Sequence, residues 1–74
     1  MLIFHVEKIH NATVIVNQFF QNEENAMNCF KGLVSNEFEQ NLPPFDYDEI
    51  ISKRDFYDSY TDTAITMRTL NTQD

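Results

Sequence analysis

Glycine is almost missing from this sequence. Gly32 is the only one among 74 residues, and that excludes two kinds of ligand loop. Phosphate-cradling loops need several glycines, so that backbone N–H groups can close on the ligand. A calcium loop needs a glycine at its middle and a closing Glu at a fixed offset. Asp46, Asp48 and Glu49 resemble the start of such a loop but are followed by neither. Cysteine is also down to one, Cys29, so no disulfide can form within the chain. Nothing implies an oxidising compartment. Long apolar runs are missing too, and none approaches the ~20 residues a helix needs to cross a bilayer. The opening MLIFHVEK is apolar for only four residues before His5 and has no cationic lead-in, so it does not read as a signal peptide. A soluble, cytoplasmic protein with no membrane partner is expected.

Cations are scarce. Five Lys and Arg face twelve Asp and Glu, for a net charge of −7. Phosphate binding depends on Lys and Arg, so direct binding to nucleic acid or to an anionic membrane is disfavoured. An acidic balance serves solubility, and it also suits a basic protein partner.

Hydrophobic residues make up 42% of the chain, with seven Phe and three Tyr, which excludes wholesale disorder. A chain of this length supports one domain, residues 1–74, and buries only about 60% of its unfolded surface. Such a thin core can carry a surface but has little room for a deep pocket.

Leu2, Phe4 and Val6 alternate with Ile3, His5 and Glu7, as in a strand with one buried face. The polar pair His10-Asn11 suits a tight turn. The run ATVIVNQFF comes next, with Val14 and Val16 on one face and Thr13, Ile15, Asn17 and Phe19 on the other. So short a link joins antiparallel strands only.

Residues 22–38 carry the strongest helix signal. Asn22 suits an N-cap, and Glu23 and Glu24 place negative charge at the positive end of the helix dipole. Ala26, Met27, Phe30, Leu33 and Val34 form one apolar stripe, which Phe38 extends. Gly32 inside the helix costs up to about 1 kcal/mol relative to Ala unless close packing requires it. Pro43-Pro44 ends the helix, near Gln40 or Asn41.

Residues 46–57 support two readings. In one, Asp46 caps a short helix, Glu49 closes a capping box, and Tyr47, Ile50, Ile51 and Arg54 share a face. In the other, a strand covers residues 49–57 and turns over residues 58–62. The strand is preferred because the next segment, TAITMRTL, is itself strand-like and wants a neighbour. The expected fold is α+β, a small antiparallel sheet of about four strands packed on one helix in the order ββαββ. The second short helix is the alternative. Residues 71–74 form a polar tail.

No motif carries chemistry. His5, His10 and Cys29 have no structural zinc spacing, and a Cys–His nucleophile is defined by geometry rather than by separation. No catalytic residue, metal or cofactor is expected. The charge map is more informative. Residues 37–62 hold Glu37, Glu39, Asp46, Asp48, Glu49, Asp55, Asp58 and Asp62 against only Lys53 and Arg54. Aromatics interleave with these acids, among them Phe45, Tyr47, Phe56, Tyr57 and Tyr60. Carboxylates steer a protein toward a positive surface, and tyrosines supply rigid contact area. The expected partner-binding residues are therefore those eight acids with Tyr47, Tyr57 and Tyr60.

The hairpin, the helix opened by Glu23-Glu24-Asn25-Ala26 and the closing run DSYTDTAITMRT together resemble small bacteriophage-encoded proteins, anti-CRISPR proteins among them. The resemblance is architectural and transfers no individual residue. It implies a non-enzymatic inhibitor, in the cytoplasm of a bacterial host, that covers the basic nucleic-acid-binding groove of a CRISPR effector or a similar protein. The alternative is a small assembly module, in which Ile15 and Phe19 form a homodimer or a sheet-edge contact.

Overall fold

The computed structural model describes residues 1–41 and 46–71, and the side chains of 38–41 are outside the description. It contains β1 (Leu2–His10), β2 (Thr13–Phe20), α1 (Glu23–Asn41), α2 (Tyr47–Lys53), β3 (Asp55–Asp58) and β4 (Thr63–Asn71). The fold is α+β, as expected, with a four-stranded antiparallel sheet in the order β2-β1-β4-β3.

β1 and β2 are joined by Asn11 and Ala12, both at positive φ (50° and 63°). Two such residues match the right-handed twist of the flanking strands. Asn accepts that conformation readily, whereas Ala holds it against its own Cβ. The hairpin carries a β-bulge. Lys8 opposes Val16 and Ile9 opposes Val14, which leaves Ile15 without an opposite residue. The bulge corrects the simple alternation read from the sequence. It moves Val14 onto the face of Ile15 and Phe19, and puts Thr13, opposite His10, on the face of Val16. An inserted residue flips the parity of everything beyond it.

β4 pairs with β1 along its whole length, from Leu2 opposite Asn71 to His10 opposite Thr63. The two central strands are thus distant in sequence, and the edges are β2 and the four-residue β3. At one end of the sheet the Asn11 amide donates to the Asp62 carbonyl (3.0 Å), tying the two hairpin turns together.

α1 begins as the sequence predicts, with Asn22 Oδ1 accepting from the Asn25 amide (3.1 Å). Ala26, Phe30 and Val34 are fully buried against Phe4, Val6, Ile65 and Met67, with Met27 and Leu33 packed beside them. Phe38, expected to extend this stripe, lies outside the described side chains. Gly32 is on the opposite, exposed side, and a Cβ there would meet nothing within 4 Å. No packing requirement explains it.

Residues 47–53 are helical, which corrects the strand preferred for residues 49–57. Asp46 Oδ1 accepts from the amides of Asp48 (3.0 Å) and Glu49 (3.3 Å). Ile50 is buried, and Tyr47 and Ile51 pack against the core. A strand would have sent the adjacent Ile50 and Ile51 to opposite faces, whereas a helix takes both inward. Glu49 does not follow the capping-box expectation: its carboxylate pairs with Lys53 one turn on, at 2.6 Å. Arg54 ends the helix in the left-handed region, its amide bonded to the Ile50 carbonyl (2.8 Å). Only then does the chain extend, and Phe56 is the single apolar residue that β3 buries.

Candidate interaction surfaces

Two contacts orient the helices. Ser35 Oγ donates to Tyr47 Oη at 3.4 Å, and Arg54 Nη2 meets Glu23 Oε1 at 3.2 Å. Residue order is reversed between the pairs, so α2 runs antiparallel to α1. Both helices lie on one side of the sheet, the side of Phe4, Val6, Ile65 and Phe56. Among the described residues no element covers the other side.

This arrangement disperses the acidic stretch. Glu37 is buried, and its Oε1 lies 2.6 Å from Lys8 Nζ, which is also buried. It belongs to the layer interface rather than to an outer surface. Glu39 lies outside the described side chains. Asp46, Asp48 and Glu49 form the exposed first turn of α2, with Asp46 committed to its cap and Tyr47 half-buried. Asp55 and Tyr57 point to the opposite side of the sheet, since Phe56 and Asp58 between and beyond them are buried. Asp58 is internal to its turn, accepting from the Tyr60 amide (3.0 Å) and from Thr61 Oγ1 (3.2 Å). Tyr60 is 93% exposed at the turn tip, with Asp62 exposed beside it. Of the residues expected to bind a partner, Glu37 and Asp58 are buried. The others with described side chains fall into a helix-side group, an outer-face group and a turn group.

The same stripe that predicted the core also marked Glu37. It stands three residues after Val34 and seven after Phe30, on the buried line of α1. Lys8 shares the parity of Phe4 and Val6 on β1. A cation and an acid on facing buried lines are the sequence signature of an internal ion pair.

The surface ion pairs are ordinary. The Glu49 hydrogen bond, then its charge, holds the Lys53 ammonium above its usual pKa. Burial raises the Cys29 thiol, which packs at the core edge and so stays neutral at pH 7. His5 stacks on Phe19 on the outer face (centroids 4.5 Å apart), whereas His10 bonds Thr63 Oγ1 (2.9 Å) on the helix side. Among the described residues no group of three His, Cys, Asp or Glu could hold a metal. Among the same residues no helix is long and apolar enough to cross a membrane.

The fold defines a two-layer α+β protein with its helices on one side of the sheet. No family model, curated protein or solved structure matches the chain.

Proposed function

We propose that the protein is a non-enzymatic inhibitor that binds the basic groove of a nucleic-acid-handling protein, such as a CRISPR effector. The observation that carries this reading is the disposition of charge. Lys8, Lys53 and Arg54, three of the five cations, are engaged by the protein's own carboxylates. Exposed Asp46, Asp48 and Asp62 retain a negative surface around the start of α2 and the β3–β4 turn. Tyr60 projects from that turn and supplies contact area. The carboxylates stand in for phosphates against Lys and Arg, so affinity falls as salt rises.

The test titrates a CRISPR effector with the protein and follows target-DNA binding at two salt concentrations. Target binding is lost, and lost less at the higher salt. Asp46 is a poor probe because it caps α2. The double variant Asp48→Lys/Asp62→Asn leaves the cap in place, and Asn tolerates the positive φ of residue 62. It weakens inhibition about tenfold, the effect of losing ~1.4 kcal/mol. If no effector loses target binding, the reading fails.

A further inference from the structure

Among the described residues, five of the eight exposed large hydrophobics lie on the open side of the sheet: Val14, Ile15, Phe19, Tyr57 and Leu70. Strand register arranges this side in four rows that cross the strands. The row nearest the turns is apolar, with Ile9 between Val14 and Ala64, and Tyr57 beyond Ala64. The next runs Asn17, Glu7, Thr66, Asp55 and is acidic, with Thr66 flanked by Glu7 on β1 and Asp55 on β3. The third holds Phe19, His5 and Arg68. The last is apolar again, Ile3 beside Leu70.

The pattern runs apolar, acidic, basic, apolar. A two-fold axis lying along the rows, between the second and third, sets Arg68 on the acidic row and lays Ile9 and Ala64 on the second copy's Ile3 and Leu70. Such self-complementarity is what an isologous contact requires. We propose that this face docks on a second copy of the same chain, forming a face-to-face β-sandwich with an apolar outer margin and charged central rows.

The geometry is specific at one point. Arg68 lies on the same strand as Thr66, two residues along. The axis therefore sets the partner's Arg68 over Thr66, between Glu7 and Asp55. Among the described residues neither Glu7 nor Arg68 has an ion-pair partner in its own chain. Phe19, stacked on His5, is exposed at 59% and gains cover from the second sheet. Three strands of eight or nine residues and the four-residue β3 give a face of roughly 15 by 25 Å. Counted over both copies, that is below the roughly 1,200 Å² at which stable specific interfaces begin, so the dimer is a weak one that forms and dissociates with concentration.

The proposal is independent of the inhibitor reading, because its measurement contains no target. Sedimentation equilibrium on the wild type shows an average mass rising from 8.8 kDa toward twice that value as the protein is concentrated into the high micromolar range. Arg68→Glu alone, and Glu7→Lys/Asp55→Lys alone, each raise the dissociation constant at least about tenfold, because each gives a face of one sign. Mixed in equal amounts they recover a dimer, the negative face of one meeting the positive face of the other. Circular dichroism of each variant establishes that it is folded. Two results overturn the proposal. One is a wild-type mass that stays at 8.8 kDa at the highest concentration. The other is a dimer indifferent to the charge swaps, which would assign the contact to the uncharged edge strand β2 instead.

Discussion

Lys8 Nζ and Glu37 Oε1 lie 2.6 Å apart, with both side chains about nine-tenths buried between the sheet and α1. Removing one partner takes this counter-charge from the other, which stays buried. Lys8→Met or Glu37→Gln therefore destabilises the fold by about 3–5 kcal/mol, while Lys8→Met/Glu37→Leu restores much of the loss, since a well-packed apolar pair often replaces an ion pair without penalty. Urea unfolding of the three variants measures this. Equal losses in the single and double variants would count against it.

Gly32 offers the opposite change. It sits on the exposed side of α1 with open space where a Cβ would go. Gly32→Ala stabilises by up to about 1 kcal/mol, which raises the melting temperature of a domain this small by roughly 4–8 °C. Thermal unfolding followed by circular dichroism reads it directly.

Ala12 is the second weak position, held at φ 63° in the first turn. Ala12→Gly relieves that conformation and gains about 0.5–1 kcal/mol, after the greater freedom of glycine in the unfolded chain is subtracted. Ala12 and Gly32 lie on different elements with no shared partner, so the two gains add within a few tenths of a kcal/mol.

Phe30 is fully buried at the centre of the core. Phe30→Ala costs about 3–5 kcal/mol. Domains hold only about 5–15 kcal/mol in total, and one this small sits near the lower end. The variant is therefore largely unfolded at 37 °C, visible as collapsed dispersion in its amide NMR spectrum.

Cys29 gives a pH signature. Its thiol is raised above 9.0 by burial, so the folded state holds the proton longer than the unfolded state. That contribution is complete below pH 9 and is lost as pH rises through the folded value. Stability declines above pH 9 in the wild type, and Cys29→Ala flattens the decline. Thiol-reactive reagents label Cys29 slowly in the folded protein and quickly in urea.

The first hairpin, the cap at Asn22 and the stripe through Phe30 were legible because each rests on local chemistry that tertiary contacts only reinforce. Residues 47–53 were harder. Their helix is two turns long and depends on Ile50 meeting the core, so the cap at Asp46 competed with the strand character of the neighbouring residues 55–71. The bulge at Ile15 left no local mark, since nothing in VIV shows which residue the partner strand will skip. The acidic stretch was legible as charge but not as a surface. Its parity on β3, and the burial of Glu37 and Asp58, depend on which strands become neighbours.

The seam between β1 and β4 joins segments far apart in the chain; His10 and Thr63, at its nearest end, are 53 positions apart. Neither hairpin therefore has a finished sheet to join until the other exists. The long loop must close before its contacts repay the lost entropy. While it waits, the first hairpin presents an uncharged strand, TVIVNQFF, on one edge and the whole of β1 unpaired on the other. The period before the seam closes is when this protein is most open to misassembly, and the net charge of −7 is then its main protection, keeping incomplete chains apart by repulsion.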